Sequence, residues 1–184
     1  MTIKNKICKL NISIKNEFSF GDPKNKQYDV ILNPDNYDSE DYVKAFIFDV
    51  DFYGHIKKIA LVVFATEPEG NIAVLKNDVL TLLQNERFLR IDLSEGYIIE
   101  EKSFEILGSV FETREFENDY IVYGEIEIAR FDKLFNKLWS FSGKDIFVSN
   151  SDKKAFEISD NRIKLYDFEG NYYEIDFDGK VLVS

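Results

Sequence analysis

Ala129–Ser149 reads ARFDKLFNKLWSFSGKDIFVS and carries the sole tryptophan, Trp139. Two readings compete for it. Phe131, Leu134, Phe135, Leu138 and Trp139 fall at i, i+3, i+4, i+7 and i+8, the stripe of an amphipathic helix, and Gly143 is placed to cap it. The same residues also read as a strand ending in Phe131-Asp132, a turn through Asn136 and a return strand through Leu138-Trp139-Ser140-Phe141. The hairpin is favoured because its turn has relatives. Asp51, Asp92, Asp132 and Asp176 are spaced 41, 40 and 44 residues apart, and each follows an apolar residue. Each is also followed by Gly or Asn before apolar residues resume, and the three segments besides this one show no helical stripe.

The turn has a chemical basis. Gly54 and Gly179 follow their aspartates by three positions, and Gly96 and Asn136 follow theirs by four. Glycine reaches positive φ without steric penalty, and asparagine is among the next most tolerant residues. The aspartate accepts from backbone N–H groups just ahead of it and so starts the turn. Short hairpin loops need a residue at positive φ where the chain enters the second strand, and these four positions are expected to supply it.

The chain has 184 residues, enough for one substantial core, and one domain over 1–184 is expected. Phe, Tyr, Ile and Val are spread along it and suit a pleated, half-buried surface. The expected strands are short and separated by regular turns: Tyr28–Leu32, Ala45–Val50, Ile59–Phe64, Ile72–Leu75, Phe88–Leu93, Tyr97–Glu101, Leu107–Phe111 and Tyr120–Phe131. Ile146–Ser149, Phe156–Ile158, Ile163–Phe168, Tyr172–Phe177 and Val181–Val183 follow. Val79–Leu83 is open between strand and helical turn, and Thr66–Gly70 reads as a turn. Residues 1–40 form amino-terminal strands that cap the β repeats of 41–184, with an irregular connection through NYDSEDY and a short helix allowed after Ser39. The fold class is all-β and antiparallel, with four repeats of about 40 residues in a small propeller-like arrangement or a strongly curved sheet.

IARFDKLFNKLWSF, with about four strands per period, resembles the strand-turn-strand segment of β-propeller repeats in which a Trp follows a Gly-containing turn. The resemblance spans roughly residues 45–184 and implies a propeller-like scaffold, structural or oligomeric. It departs from that pattern at Phe135-Asn136, which replaces the glycine-bearing turn, and in the lack of Trp from the other three repeats.

Charge and chemistry narrow the function. The net charge is −11, from 23 basic and 34 acidic side chains. Residues 1–30 are +3 and the rest −14, a poor match for nucleic acid or anionic lipid and a better one for a basic protein. No signal-peptide run and no membrane-length apolar stretch occurs. The lone Cys8 suits a reducing compartment, so a cytoplasmic protein is expected. The lone His55 sits in a turn without a second His or a cysteine pair, so no metal or other cofactor is expected. The serines lack an imidazole partner, and no phosphate loop is present. A carboxylate pair for glycoside hydrolysis does not stand out among 34 acids, and the expectation is a non-enzymatic protein.

What remains is recognition. Glu112–Glu127 holds Glu112, Glu115, Glu117, Asp119, Glu125 and Glu127 against Arg114, interleaved with Phe116, Tyr120 and Tyr123. Alternation of Glu125 and Glu127 with Ile126 and Ile128 puts both acids on one strand face. Carboxylates that steer a partner, with aromatics that supply contact, suit a protein-binding surface. In its small size, acidity and lack of catalytic groups the chain is similar to bacterial toxin-neutralising immunity proteins, which implies a basic toxin domain as partner.

Overall fold

The computed structural model describes residues 1–38, 41, 43–64, 71–150, 152 and 154–184. The turn expected over Thr66–Gly70 and the start of a helix after Ser39 lie outside these residues. The chain forms two compact units, one of Met1–Glu67, Ala73–Gln84 and Leu89–Glu101, the other of Pro68–Ile72, Asn85–Phe88 and Lys102–Ser184. Both are all-β. Among the described residues the one helical stretch is a 3₁₀ turn, Pro23–Gln27, capped by the Asp22 carboxylate.

The first sheet has five strands: β1 (Thr2–Lys4), β2 (Lys9–Phe18), β3 (Val30–Leu32), β4 (Val43–Phe52) and β5 (His55–Val62). Their order is β1-β2-β4-β5-β3, antiparallel except for β3 beside β5. β2 lies inside this sheet, so residues 1–32 supply three of its strands. Alternation in β2 buries Leu10 and Ile12 and exposes Lys9 and Asn11, whereas Ile59–Val63 is buried throughout, as a continuous apolar run requires. The other three sheets are four-stranded antiparallel meanders. They are β6 (Ala73–Lys76), β7 (Val79–Gln84), β8 (Arg87–Asp92) and β9 (Tyr97–Ser103), then β10 (Val110–Phe116), β11 (Asp119–Gly124), β12 (Glu127–Phe131) and β13 (Lys137–Ser142). The last is β14 (Phe156–Ser159), β15 (Arg162–Tyr166), β16 (Tyr172–Ile175) and β17 (Val181–Val183). In all three the strands pair in chain order.

The decisive stretch is the hairpin. Ile128 pairs with Phe141, Ala129 with Ser140 and Arg130 with Trp139. The helical stripe is therefore divided: Phe131 and Phe135 are buried, while Leu134 and Leu138 are each 53% exposed. The turn itself is held by Asp132, whose Oδ1 accepts from Leu134 N and Asn136 N, both at 2.8 Å. Positive φ falls on Phe135 (+60°) and not on Asn136. That correction aligns the turn with the one at Asp176, where Gly179 at +83° occupies the same offset of three and Asp176 Oδ1 accepts from Asp178 N and Lys180 N. The third turn of this kind starts at Asp167, with Gly170 at +86° and Asn171 N donating to Asp167 Oδ1 at 2.8 Å. Asp51 and Asp92 make different bends. Asp51 precedes a two-residue loop with Tyr53 and Gly54 both at positive φ, and Asp92 a four-residue loop closed by Gly96 N donating to Asp92 O.

Three further expectations change. The strand expected over Leu107–Phe111 begins only at Val110 and runs on to Phe116. The single strand expected over Tyr120–Phe131 is two strands joined by a bend at Glu125-Ile126. A side chain at Gly124 would meet Ser109 O at 2.9 Å and Glu127 O at 3.0 Å, so the chain folds tightly only because none is there. Ile146–Ser149 is irregular, with Phe147 buried in the core.

The turns give a graded prediction. Valine at Gly54 (φ +94°) or Gly96 (φ +82°) is expected to cost about 1 kcal/mol or more for the backbone conformation alone. At Gly54 the added atoms enter open space, whereas at Gly96 the Cβ would lie 2.7 Å from Val30 Cγ2. Urea denaturation should therefore rank Gly96→Val clearly below Gly54→Val, and equal midpoints would contradict this.

Candidate functional site

The candidate site lies within the second unit. The sheet β10–β13 is covered on both faces. Ile121, Tyr123 and Ile128 share one buried cluster with Phe147 and with Ile163, Leu165, Tyr173 and Ile175 of β15 and β16. On the opposite face Tyr120 joins a ring cluster with Phe88, Phe131 and Phe135. Tyr120 and Tyr123, an odd number of positions apart on β11, therefore point into two different cores.

This packing separates the residues expected to form one acidic, aromatic surface. Tyr120 and Tyr123 are buried, and the Tyr123 hydroxyl donates to Phe147 O. Glu127 is buried as well. Its carboxylate accepts from Lys137 Nζ and from Leu107 N, both at 3.0 Å. Burial alone would raise the Glu127 carboxyl, but hydrogen bonds from Ser140, Lys137 and Leu107 N, with the Lys137 charge, hold it below its ordinary value. Glu125 lies on the bend and accepts from Ser109 N at 3.4 Å, so it does not share a strand face with Glu127. Glu115 and Glu117 remain exposed at the β10–β11 turn, where Glu117 takes φ +57°.

Phe116 and Asp119 enter a cluster that the sequence did not suggest. The Arg130 guanidinium donates to Asp119 Oδ2 through Nε at 2.8 Å and Nη2 at 2.7 Å, and through Nη1 to Phe177 O at 2.6 Å. Trp139 Nε1 donates to the same carbonyl at 2.9 Å. Phe116 stacks on Phe177 with ring centres 3.6 Å apart, and the guanidinium lies 5.2 Å from the Phe116 ring centre. The cluster ties β13, through Trp139, to the Asp176 turn. Gly179 is required there for a second reason, since a Cβ would stand 2.7 Å from Trp139 Cγ.

Asp167 anchors the β15–β16 turn from a buried position, 1% exposed. It accepts from Asn171 N, Asn171 Nδ2 and, at 2.7 Å, the Tyr173 hydroxyl. Burial opposes its charge, yet these donors and the Gly170 N–H outweigh it and hold the carboxyl below its ordinary value. A carboxyl lowered on folding contributes stability that is complete above the unfolded-state value, about pH 4, and that is lost as pH falls through the lower folded value. Stability should thus decline below about pH 4. Asp167→Asn should make that decline shallower in acid titrations followed by urea denaturation; an unchanged slope would show that Asp167 does not contribute.

A groove of about 440 Å³ in this unit is lined by Glu112 and Arg114 from β10 and by Lys154, Phe156, Glu157 and Ile158 in and before β14. Arg114 Nε bonds Glu112 Oε1 at 3.1 Å, and Asn71 N also donates to Glu112. Phe156 forms the apolar side, stacked on Tyr123 at 4.7 Å. Of the residues expected to recognise a partner, Glu112 lines this groove. Lys154 and Glu157 lie outside the acidic, aromatic stretch, although the charge between Phe156 and Ile158 at the start of a strand is a signal visible in the sequence. Among the described residues no group of three or more His, Cys, Asp or Glu is placed to hold a metal ion.

No protein-family model matches the chain, and neither does any curated protein. Similar solved structures include Hsv2 of Kluyveromyces marxianus, 10% identical with a TM-score of 0.44, matching 82% of this chain and 48% of that one. Hsv2 of Kluyveromyces lactis is 12% identical with a TM-score of 0.45, matching 76% of this chain and 45% of that one. The chain spans about half the length of these structures.

Proposed function

We propose that the chain is a propeller-like repeat scaffold without catalytic activity, whose work is to bind another protein. The observation that carries this reading is the run of three four-stranded antiparallel meanders, starting at Ala73, Val110 and Phe156, each completed before the next begins. Sheets of this kind stack face to face through apolar side chains, as β10–β13 does on β14–β17, and such repeats present strand edges and loops for contact while their faces are consumed by the core. A toxin-neutralising role is the narrower reading. It draws on the acidity of residues 31–184, but two of the aromatics it would use, Tyr120 and Tyr123, are core residues. That favours the broader scaffold.

The test is reconstitution. A partner captured with the chain in its native cells, then purified, should form a complex of fixed stoichiometry in sedimentation experiments. Turnover of a glycoside substrate that disappears on substituting a pair of exposed carboxylates would overturn the reading in favour of a hydrolase.

A further inference from the structure

β14 is one of the two edge strands of its sheet, and the direction of its backbone groups follows from its register. Phe156 lies opposite Leu165, Glu157 opposite Lys164, Ile158 opposite Ile163 and Ser159 opposite Arg162. In an antiparallel pair, residues that exchange both backbone hydrogen bonds alternate with residues that exchange none. Tyr166 N donates to Ala155 O at 2.9 Å, which puts Ala155 in the first class. Glu157 and Ser159 belong with it. Phe156 and Ile158 therefore turn their N–H and C=O groups away from β15, and both residues line the groove.

The wall opposite is closed. Thr113 N on β10 donates to Asn71 O at 2.6 Å, and Asn71 Nδ2 donates back to Thr113 O at 2.9 Å. A single residue thus occupies the bonding positions of β10 at Thr113, whereas among the described residues none bonds the outward backbone groups of Phe156 and Ile158. An unpaired strand edge is a template for another strand.

Charge decides which strand. Arg114 is engaged by Glu112. Among the described residues Glu157 and Lys154 make no ion pair or side-chain hydrogen bond. A strand added antiparallel to β14 would set one side chain opposite Glu157 and another, three residues further along, opposite Lys154. We propose that this groove takes an extended segment of a partner protein as an added antiparallel strand on β14, with a basic residue facing Glu157, an acidic residue three positions on facing Lys154, and apolar residues flanking the basic one. The inference rests on the reading of the chain as a protein-binding scaffold and names the site and the partner segment.

The probe is an end-blocked peptide containing Val-Lys-Val-Thr-Glu, titrated into the isotope-labelled full chain and followed by amide chemical shifts. Saturable shifts are expected at Phe156 and Ile158. The charge-exchanged peptide, Val-Glu-Val-Thr-Lys, should bind about tenfold more weakly, because each cross-strand pair changes sign. Methylating the valine nitrogens should abolish binding by removing the ladder donors. In a chain carrying Glu157→Lys and Lys154→Glu, both exposed positions that leave the core untouched, the preference between the two peptides should reverse. No saturable shift, indifference to methylation, or an unreversed preference would each overturn the proposal. If the site fails while the reconstituted complex with the captured partner forms, the scaffold reading survives with its contact elsewhere; if the complex fails as well, both fall.

Discussion

Phe135→Ala is expected to destabilise the chain by about 3–5 kcal/mol, and Phe135→Gly by about 1 kcal/mol less. The order is the unusual part, since in a core the larger residue normally leaves the smaller cavity. Phe135 is 1% exposed and stacks on Phe88 with ring centres 4.4 Å apart and planes 9° apart. Its backbone sits at φ +60°, a region that costs a residue with a Cβ roughly 1–2 kcal/mol. Ring burial sustains that conformation in the native protein. Alanine forfeits the ring and keeps the backbone cost. Glycine forfeits the ring and escapes the cost, although its freer unfolded chain gives part of the gain back. Urea denaturation of the two variants measures the difference, and alanine proving the more stable would show that the turn is unstrained.

Arg130→Leu is expected to cost on the order of 3 kcal/mol, the low end for breaking a buried pair. The side chains of Arg130 and Asp119 are 13% and 19% exposed, so solvent screens their attraction only in part. The substitution leaves the Asp119 carboxylate without its two guanidinium donors and removes one of the two donors to Phe177 O. Most of the loss is the penalty of the stranded carboxylate. Adding Asp119→Leu should therefore restore at least half of it, as a double-mutant cycle would measure. Additive losses would instead place the energy in packing against Phe116.

What the sequence made legible was local. Asp132, Phe135 and Trp139 announced a hairpin because the aspartate turn and the alternating aromatics agree with each other. Most strands followed from the same alternation. The Asp167 turn is hidden from a spacing near 40, because Asp167 stands only nine residues before Asp176 and shares with it a bonding pattern and not the period. Residue preference places positive φ at Asn136, yet Asn136 is held by Asp132 while the core pulls Phe135 inward. The acidic surface was harder still. Tyr120, Tyr123 and Glu127 look solvent-facing when read beside their charged neighbours, but a sheet covered on both faces buries them whichever way they point. Arg130 was invisible for the same reason: its partners Asp119 and Phe177 come from another strand and another sheet.

Cross-strand nuclear Overhauser contacts between backbone protons test the repeated-sheet architecture most directly. The pairs to observe are Arg130 with Trp139, Leu165 with Tyr173, and Leu75 with Leu80, each directly opposed in its sheet. Opposed residues have Cα atoms about 4.5–5.5 Å apart, so inter-strand contacts are expected at all three. A helix through Phe131–Trp139 would instead separate Arg130 from Trp139 by roughly 13 Å and show contacts between residues three apart, a result that would contradict the architecture and the scaffold built upon it.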